Sequence, residues 1–381
     1  MASDSTLIPF NRPSTVGNEM SLMSDAIARG HISGDGYYTK RAEEDIKAIA
    51  HVEKTLLTTN CTHALELSAR VLDLGPGDEV IVPAYTFVST ASAFALTGAH
   101  PVFVDVNPRT LNLDVDMVER SITSQTRAIC TVHYARIADG IERLSELAKA
   151  SDITLIEDNA HGFGASSHGR AIGSFGAMST LSFHETKNVT CGEGGALCIN
   201  ESALVHRAEV LREKGTNRNQ FFRGQVDKYT WLEPGSSWVP SDLLAAFLCG
   251  QLEAFAQIQA QRMKVWQAYA DGLTDWAARI GAQTPYVPET SKHVAHMYFL
   301  RMLALEQRTR FIEHMRDKGV MAVFHYQALN TSPAGLALGG QVGQCPVAET
   351  ASETLVRLPL FSDMREDELD RVVQAAQSFN G

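Results

Sequence analysis

Cysteine is scarce in this chain. Six are scattered irregularly over 381 residues, too few and too uneven for a disulfide framework, and they read as free thiols in a reducing compartment. Positive charge is short as well: 33 Lys and Arg stand against 44 Asp and Glu, a formal net charge of −11, and no long basic run offsets it. That balance argues against binding nucleic acid or an anionic membrane surface. Residues 1–7 are polar and hold no apolar signal core, so no secretory leader is expected and the expected compartment is the cytoplasm. The longest uncharged stretch, residues 80–104, is broken by Pro83, Gly98 and Pro101 and by Ser and Thr; it predicts three short elements instead of a membrane span. Internal repeats and low-complexity tracts are missing. So is the dinucleotide-binding fingerprint, because Gly162-Phe-Gly164 matches it neither in residues nor in context, which disfavours a nicotinamide enzyme.

What is present is the composition of a soluble globular chain, 44% apolar and 20% charged, with ample material for a core. At roughly 150 residues per domain the length suits two to three domains, or one large domain with a smaller partner. From residue 79 onward short apolar runs alternate with amphipathic stretches. Strands are expected at 79–83, 101–105, 128–133, 153–158, 177–183 and 196–200, and helices at 90–98 and 140–150. The alternation predicts an α/β fold with a mostly parallel sheet. Residues 216–241 are rich in Arg, Asn, Gln, Gly and aromatics without a period, too long for a casual connection and so expected to be functional or disordered. One long helical stretch is expected over 243–273. From about residue 297 a smaller α+β unit follows: strand 297–303, helix 307–318, strand 320–326 and a closing helix over 365–379. The domain reading is 8–250 for a large α/β domain that includes the long loop, and 251–381 for a connecting helix and a small α+β domain.

Four features fall at the ends of these elements, where ligands of open α/β sheets collect. Thr58-Thr-Asn-Cys-Thr62 is a polar loop feeding a helix, whose free N–H groups could hold an anion; an ordinary capped helix start is the plainer reading. Asp158 ends an apolar strand, a costly place for a carboxylate without a partner such as a protonated pyridine nitrogen; a cap or surface acid is the alternative. His161, three residues on, could sit beside the same ligand or simply be hydrogen-bonded. Ser182-Phe-His-Glu-Thr-Lys187, followed by Gly192-Glu-Gly-Gly195, makes Lys187 a candidate Schiff-base lysine, against the commoner fate of a solvated surface lysine. The same run resembles a zinc motif that lacks its second His, so no metal is expected. Tyr85-Thr-Phe87 follows a strand, and Phe87 could stack on an aromatic cofactor or pack into the core.

In this order, with Glu157-Asp-Asn-Ala-His161 and Ser182-Phe-His-Glu-Thr-Lys187 the most specific pieces, the set resembles the fold type I pyridoxal-phosphate enzymes. Within them it is similar to the DegT-type nucleotide-sugar aminotransferases, over nearly the whole chain from Ile8-Pro-Phe10 onward. The run Glu213-Lys-Gly-Thr-Asn-Arg218, continuing through Gln220 to Trp231, and His325-Tyr326 resemble the TDP-4-oxo-6-deoxyglucose 4-aminotransferases. The resemblance implies a large domain with a mostly parallel sheet plus a small C-terminal domain, and pyridoxal 5'-phosphate as cofactor. It implies that Lys187 carries the cofactor and moves a proton, that Asp158 pairs with the ring nitrogen, and that Cys61, Thr62 and Ser182 hold the phosphate. Phe87 then stacks on the ring and His161 lies near the ring hydroxyl. It further implies L-glutamate as amino donor, a TDP-sugar as acceptor, and a homodimer with sites at the subunit interface. Lys214, Arg218 and Arg223 are candidate diphosphate contacts on a basic loop of an acidic protein. His184, Tyr229, His325 and Tyr326 join them as candidate substrate contacts. Two positions depart from the family pattern. Arg136 stands where many members carry Gly, and Val239 where many carry an Asn that reaches the phosphate of the neighbouring subunit, which leaves that contact unassigned. A sugar dehydratase of the same family would carry His in place of Lys187, and a non-catalytic cofactor-binding regulator would not need the Asp158 and Lys187 set.

Overall fold

A computed structural model describes residues 7–381. Residues 1–6, which carry most of the expectation about a leader, lie outside the described residues. The central sheet takes β1 (Lys54–Thr58), β2 (Glu79–Pro83), β3 (His100–Val104), β4 (Thr126–Val132) and β5 (Thr154–Asp158). After the two-residue strands β6 (Ser166–Ser167) and β7 (Arg170–Ala171) it adds β8 (Met178–Ser182) and β9 (Gly195–Ile199). Their spatial order is β1-β9-β8-β5-β4-β2-β3. The pairs from β8 to β3 are parallel, and β9 runs antiparallel to both β8 and β1. A parallel strand covered on both faces needs a continuous apolar run, which β5 supplies through Leu155 and Ile156 before it ends on two acids. The stretch 80–104 is β2, the helix Ser89–Ala95 and β3, as its prolines and glycine predict. No single helix among the described residues is long and apolar enough to cross a membrane.

The two-residue strand β10 (Ser291–Lys292) completes a minor sheet with β6 and β7, and the C-terminal unit is built on β11 (Tyr298–Arg301), β12 (Val323–Phe324) and β13 (Leu355–Leu358), ordered β11-β13-β12. The central strand β13 is absent from the sequence reading. The strand expected over 320–326 shrinks to two residues, because Val320 instead bridges Ile8 in parallel. The core of this unit joins Tyr298, Leu300 and Val356 to Val265, Tyr269, Leu273 and Trp276, and it includes Ile8 and Phe379 from the two ends of the chain.

The helical stretch expected over 243–273 is two helices, Asp242–Glu253 and Phe255–Arg279, bent by 64° at Ala254. The physical reason is that they serve different cores. Ala246, Leu248 and Cys249 pack with Ala42 and Ile46, whereas Val265 to Trp276 pack under the small sheet. Residue 250 lies inside the first of the two helices. The aperiodic loop 216–241 contains a short helix, Arg218–Phe222, and is tied at its base by bridges from Glu213 to Ser237 and from Thr216 to Trp231.

Candidate active site

One edge of the central sheet gathers the carboxyl ends of β1 at Thr58, β5 at Asp158 and β8 at Ser182, with the start of β9 at Gly195 beside them. Asn60 follows β1 and caps the helix Cys61–Val71, its side chain accepting the His63 N–H at 2.8 Å. Helix geometry leaves the Cys61 and Thr62 N–H groups without an intrahelical partner, with the positive end of the dipole facing the sheet edge. Cys61 Sγ lies 3.5 Å from Thr180 Oγ1 on β8, and Thr62 Oγ1 lies 2.7 Å from Ser89 Oγ. Ser182 pairs with Gly195, and a Cβ added at Gly195 would come within 2.3 Å of the Asn60 carbonyl carbon. The three expected phosphate residues Cys61, Thr62 and Ser182 are therefore collected around one helix N-terminus, packed so tightly on β9 that only glycine fits there.

Asp158 is buried. Thr90 Oγ1 donates to Oδ2 at 2.7 Å and the Ala160 N–H donates to Oδ1 at 3.2 Å. Both donors are neutral, and burial pushes the Asp158 pKa up while Thr90, Ala160 and the nearby Lys187 pull it down. Among the described residues no cation lies within ion-pair distance of this carboxylate. Lys187 is half-buried and no ion pair holds it among the described residues. Burial pushes its pKa down to about 8, against the pull of Cys61 and Asp158. Such a lysine is part neutral near physiological pH and able to act as nucleophile or base.

His161 lies buried beyond them, its Nδ1 without a partner and its Nε2 3.4 Å from the Tyr326 hydroxyl. His325 is buried next to it, held by Tyr134, whose hydroxyl is 2.8 Å from Nδ1, and by Tyr85, which donates to its carbonyl. Phe87 is 53% exposed and its ring centre stands 6.0 Å from that of Tyr326, so it is a free aromatic face at this edge and not part of the core. A pyridine ring with a phosphate arm suits these groups: N–H donors for the phosphate, a carboxylate short of a cation, an amine without an ion pair, and an unpartnered imidazole nitrogen.

The other candidates lie elsewhere. Lys214 and Arg218 sit 3.0 and 3.2 Å from Glu213, and Arg223 is 2.6 Å from Glu209. Together they line a cavity of about 1170 Å³ that includes Lys40, Lys54 and Arg212 but none of Lys187, Asp158 or His161. Tyr229 is 55% exposed near the tip of the same loop. His184 turns onto Thr186 at 2.9 Å and Glu193 at 3.7 Å.

Sequence reasoning misses Thr90, His296 and Asn188. Thr90 stands among four other Thr and Ser in an uncharged stretch, and nothing in one sequence distinguishes it. The outlier Arg136 was visible, and its backbone explains the family's glycine. Its φ is +69°, in the left-handed region, and its buried guanidinium donates to the carbonyls of Phe163 and Val294.

Residues 13–377 match the DegT/DnrJ/EryC1/StrS aminotransferase family, and the chain belongs to it. Solved structures agree. The aminotransferase TlmJ from Streptoalloteichus hindustanus is 28% identical, with 98% of each chain covered and a TM-score of 0.89. Spr1654 from Streptococcus pneumoniae in its PLP-form is 27% identical over 98% of each chain, with a TM-score of 0.89. DesV of S. venezuelae, in complex with a ketimine intermediate, is 27% identical over 97% of this chain and 98% of that one, also at 0.89.

Proposed function

We propose that this aminotransferase moves the amino group of L-glutamate to the 4-keto carbon of TDP-4-oxo-6-deoxy-D-glucose. The products are TDP-4-amino-4,6-dideoxyhexose, galacto or gluco, and 2-oxoglutarate. The enzyme uses pyridoxal 5'-phosphate, as its family membership and its PLP-form relative imply. The observation that carries the chemistry is the pairing of buried Asp158, short of a cation, with Lys187 at a pKa of about 8 on the same sheet edge. The cofactor, when bound, supplies the electron sink that acidifies the carbon bearing the amino group. Asp158 would hold a proton on the ring nitrogen, and the first-turn N–H groups with Thr62 and Ser182 would hold the phosphate. Lys187 would carry the cofactor and then, as a free amine, take a proton from the substrate carbon and return it.

The sugar acceptor is supported by the likeness to Spr1654, described as a sugar aminotransferase, and the TDP-4-keto acceptor by the Glu213 to Trp231 run. A phosphate role for Lys214, Arg218 and Arg223 at a partner subunit's site is supported by their cavity, which Lys187 of the same chain does not line. The exposure of Phe222 (68%) and Trp231 (70%) on that loop supports a homodimer in which the loop lies over the partner's site. One incubation tests the whole reading. Enzyme, cofactor, L-glutamate and TDP-4-oxo-6-deoxyglucose are mixed, and the product is examined by mass and by its H3–H4 coupling. An aminated product supports the reaction, and the coupling distinguishes galacto from gluco. The absence of amination with a bound, glutamate-responsive cofactor would refute this acceptor.

A further inference from the structure

A chain of buried polar side chains runs from the residue after Lys187 to the ring of His161. Asn188 is fixed first, since its Nδ2 donates to Gln259 Oε1 at 2.8 Å and to the Val294 carbonyl at 2.7 Å. Its Oδ1 is therefore an acceptor. It lies 3.2 Å from His296 Nδ1, so His296 carries its proton there. The backbone under His296 is clamped. Arg262 donates to the carbonyls of Ala295 at 3.1 Å and His296 at 2.7 Å, and Arg136 donates to that of Val294 at 3.4 Å. The His296 ring lies 4.5 Å from the His161 ring, centre to centre. Beyond His161, the Tyr326 hydroxyl meets Nε2 at 3.4 Å and has no other hydrogen-bond partner among the described residues. Tyr326 is half-buried, burial pushes its phenol pKa up so that the hydroxyl keeps its proton, and Nε2 is the acceptor within its reach. His161 then carries its proton on Nδ1, the atom left buried and unpartnered. Burial, reinforced by Lys187 and Arg136, keeps both imidazoles neutral.

We propose that Tyr326, His296 and Asn188 are positioning residues that lock His161 as a neutral imidazole protonated on Nδ1, so that it offers one N–H donor to an anionic oxygen of the cofactor. The proposal rests on the cofactor reading above. It makes Tyr326 act through His161, not on the sugar.

The test reads the tautomer directly. The full chain is labelled with ¹⁵N-histidine, and the His161 signals are assigned by their loss in His161→Gln, with and without cofactor. Wild type should show the proton on Nδ1 in both states, Tyr326→Phe a mixture of the two tautomers, and circular dichroism should report an unchanged fold. A proton on Nε2 in wild type, a doubly protonated ring at neutral pH, or an unchanged spectrum in Tyr326→Phe overturns the proposal. Because the cofactor-free chain gives the same answer, such a failure leaves the transaminase reading standing. A coupling measurement is the second arm. Tyr326→Phe should lower kcat roughly fivefold to tenfold in the wild-type background, the worth of one hydrogen bond. In His161→Gln, whose amide N–H needs no tautomeric partner, it should cost less than about twofold. Equal losses in both backgrounds mean that Tyr326 touches substrate itself, and the proposal fails.

Discussion

Gly195→Ala probes the phosphate site without touching a charge. The added methyl would stand 2.3 Å from the Asn60 carbonyl carbon and 2.5 Å from Asn60 O and Cys61 N, where ordinary contact begins at 3.4 Å. Neither side is a flexible side chain that can swing away. Gly195 is held between Thr58 on β1 and Ser182 on β8, so the strain falls on the Asn60-Cys61 turn, which must retreat by about 1 Å. A shift of that size breaks one N–H bond to a phosphate, a charge-assisted interaction worth about 1.5–3 kcal/mol. Cofactor affinity should therefore fall by roughly 10- to 150-fold. Overpacking of the turn should also cost about 1–3 kcal/mol of stability in the cofactor-free chain. Titration of the cofactor's visible absorption band gives the affinity, and urea unfolding of the cofactor-free chain gives the stability. An affinity within about twofold of wild type, with the stability loss present, would show that this helix end does not hold the phosphate.

Lys187→Ala should abolish turnover while the chain stays folded; normal turnover would end the assignment. The same lysine sets a pH dependence. Its folded pKa of about 8 lies below the ordinary 10.5, so between those values the unfolded chain binds more protons and the cofactor-free protein gains stability as pH rises. Unfolding midpoints should show that rise in wild type and lose it in Lys187→Met. Asp158→Asn should still bind cofactor but lose most of its rate, because the ring nitrogen is no longer held protonated; an unchanged rate would make Asp158 a structural acid. Glu157→Ala should destabilise by about 3–5 kcal/mol in denaturant unfolding, since a buried charged group is removed from its partners. The Glu157 carboxylate accepts the N–H groups of Gly173, Phe175 and Gly176, each at 2.7 Å, and faces His133 at 2.6 Å. A loss under about 1 kcal/mol would refute that count.

The large sheet is legible in the sequence, except for its edge strand β1 at Lys54–Thr58, because its parallel strands are buried on both faces and announce themselves as apolar runs bounded by Gly and Pro. The run at 79–83 matches β2 residue for residue, and those at 153–158 and 177–183 match to within a residue at each end. Asp158 and Lys187 are legible for the complementary reason: each is a charged group at the end of an apolar strand or in a glycine-flanked loop. The small unit is less so. β13 holds Arg357 in a run of apolar residues that looks like the approach to the closing helix, and the partner of Val320 lies at the opposite end of the chain. Thr90 and His296 reach the site only through tertiary contacts, which no local pattern encodes. The basic loop is legible as a feature but not as a location, because its cations are neutralised by Glu209 and Glu213 and face a separate cavity.

The meeting of Ile8 with Val320, and of Ile8 with Phe379 in one core, has a consequence for synthesis. On the ribosome the segment around Ile8 emerges with nothing to pair with, and it waits until Val320 has been made. The large sheet has no such wait, since β1 to β9 are complete by Ile199. A nascent chain halted before Val320 would thus hold Asp158 and Lys187 at a finished sheet edge, with neither the Tyr326 hydroxyl nor the docked N-terminal segment. The helix Glu366–Gln377 then adds Leu369 and Val372 to the core that holds Ile8, and its Glu368 meets Arg12 at 3.1 Å.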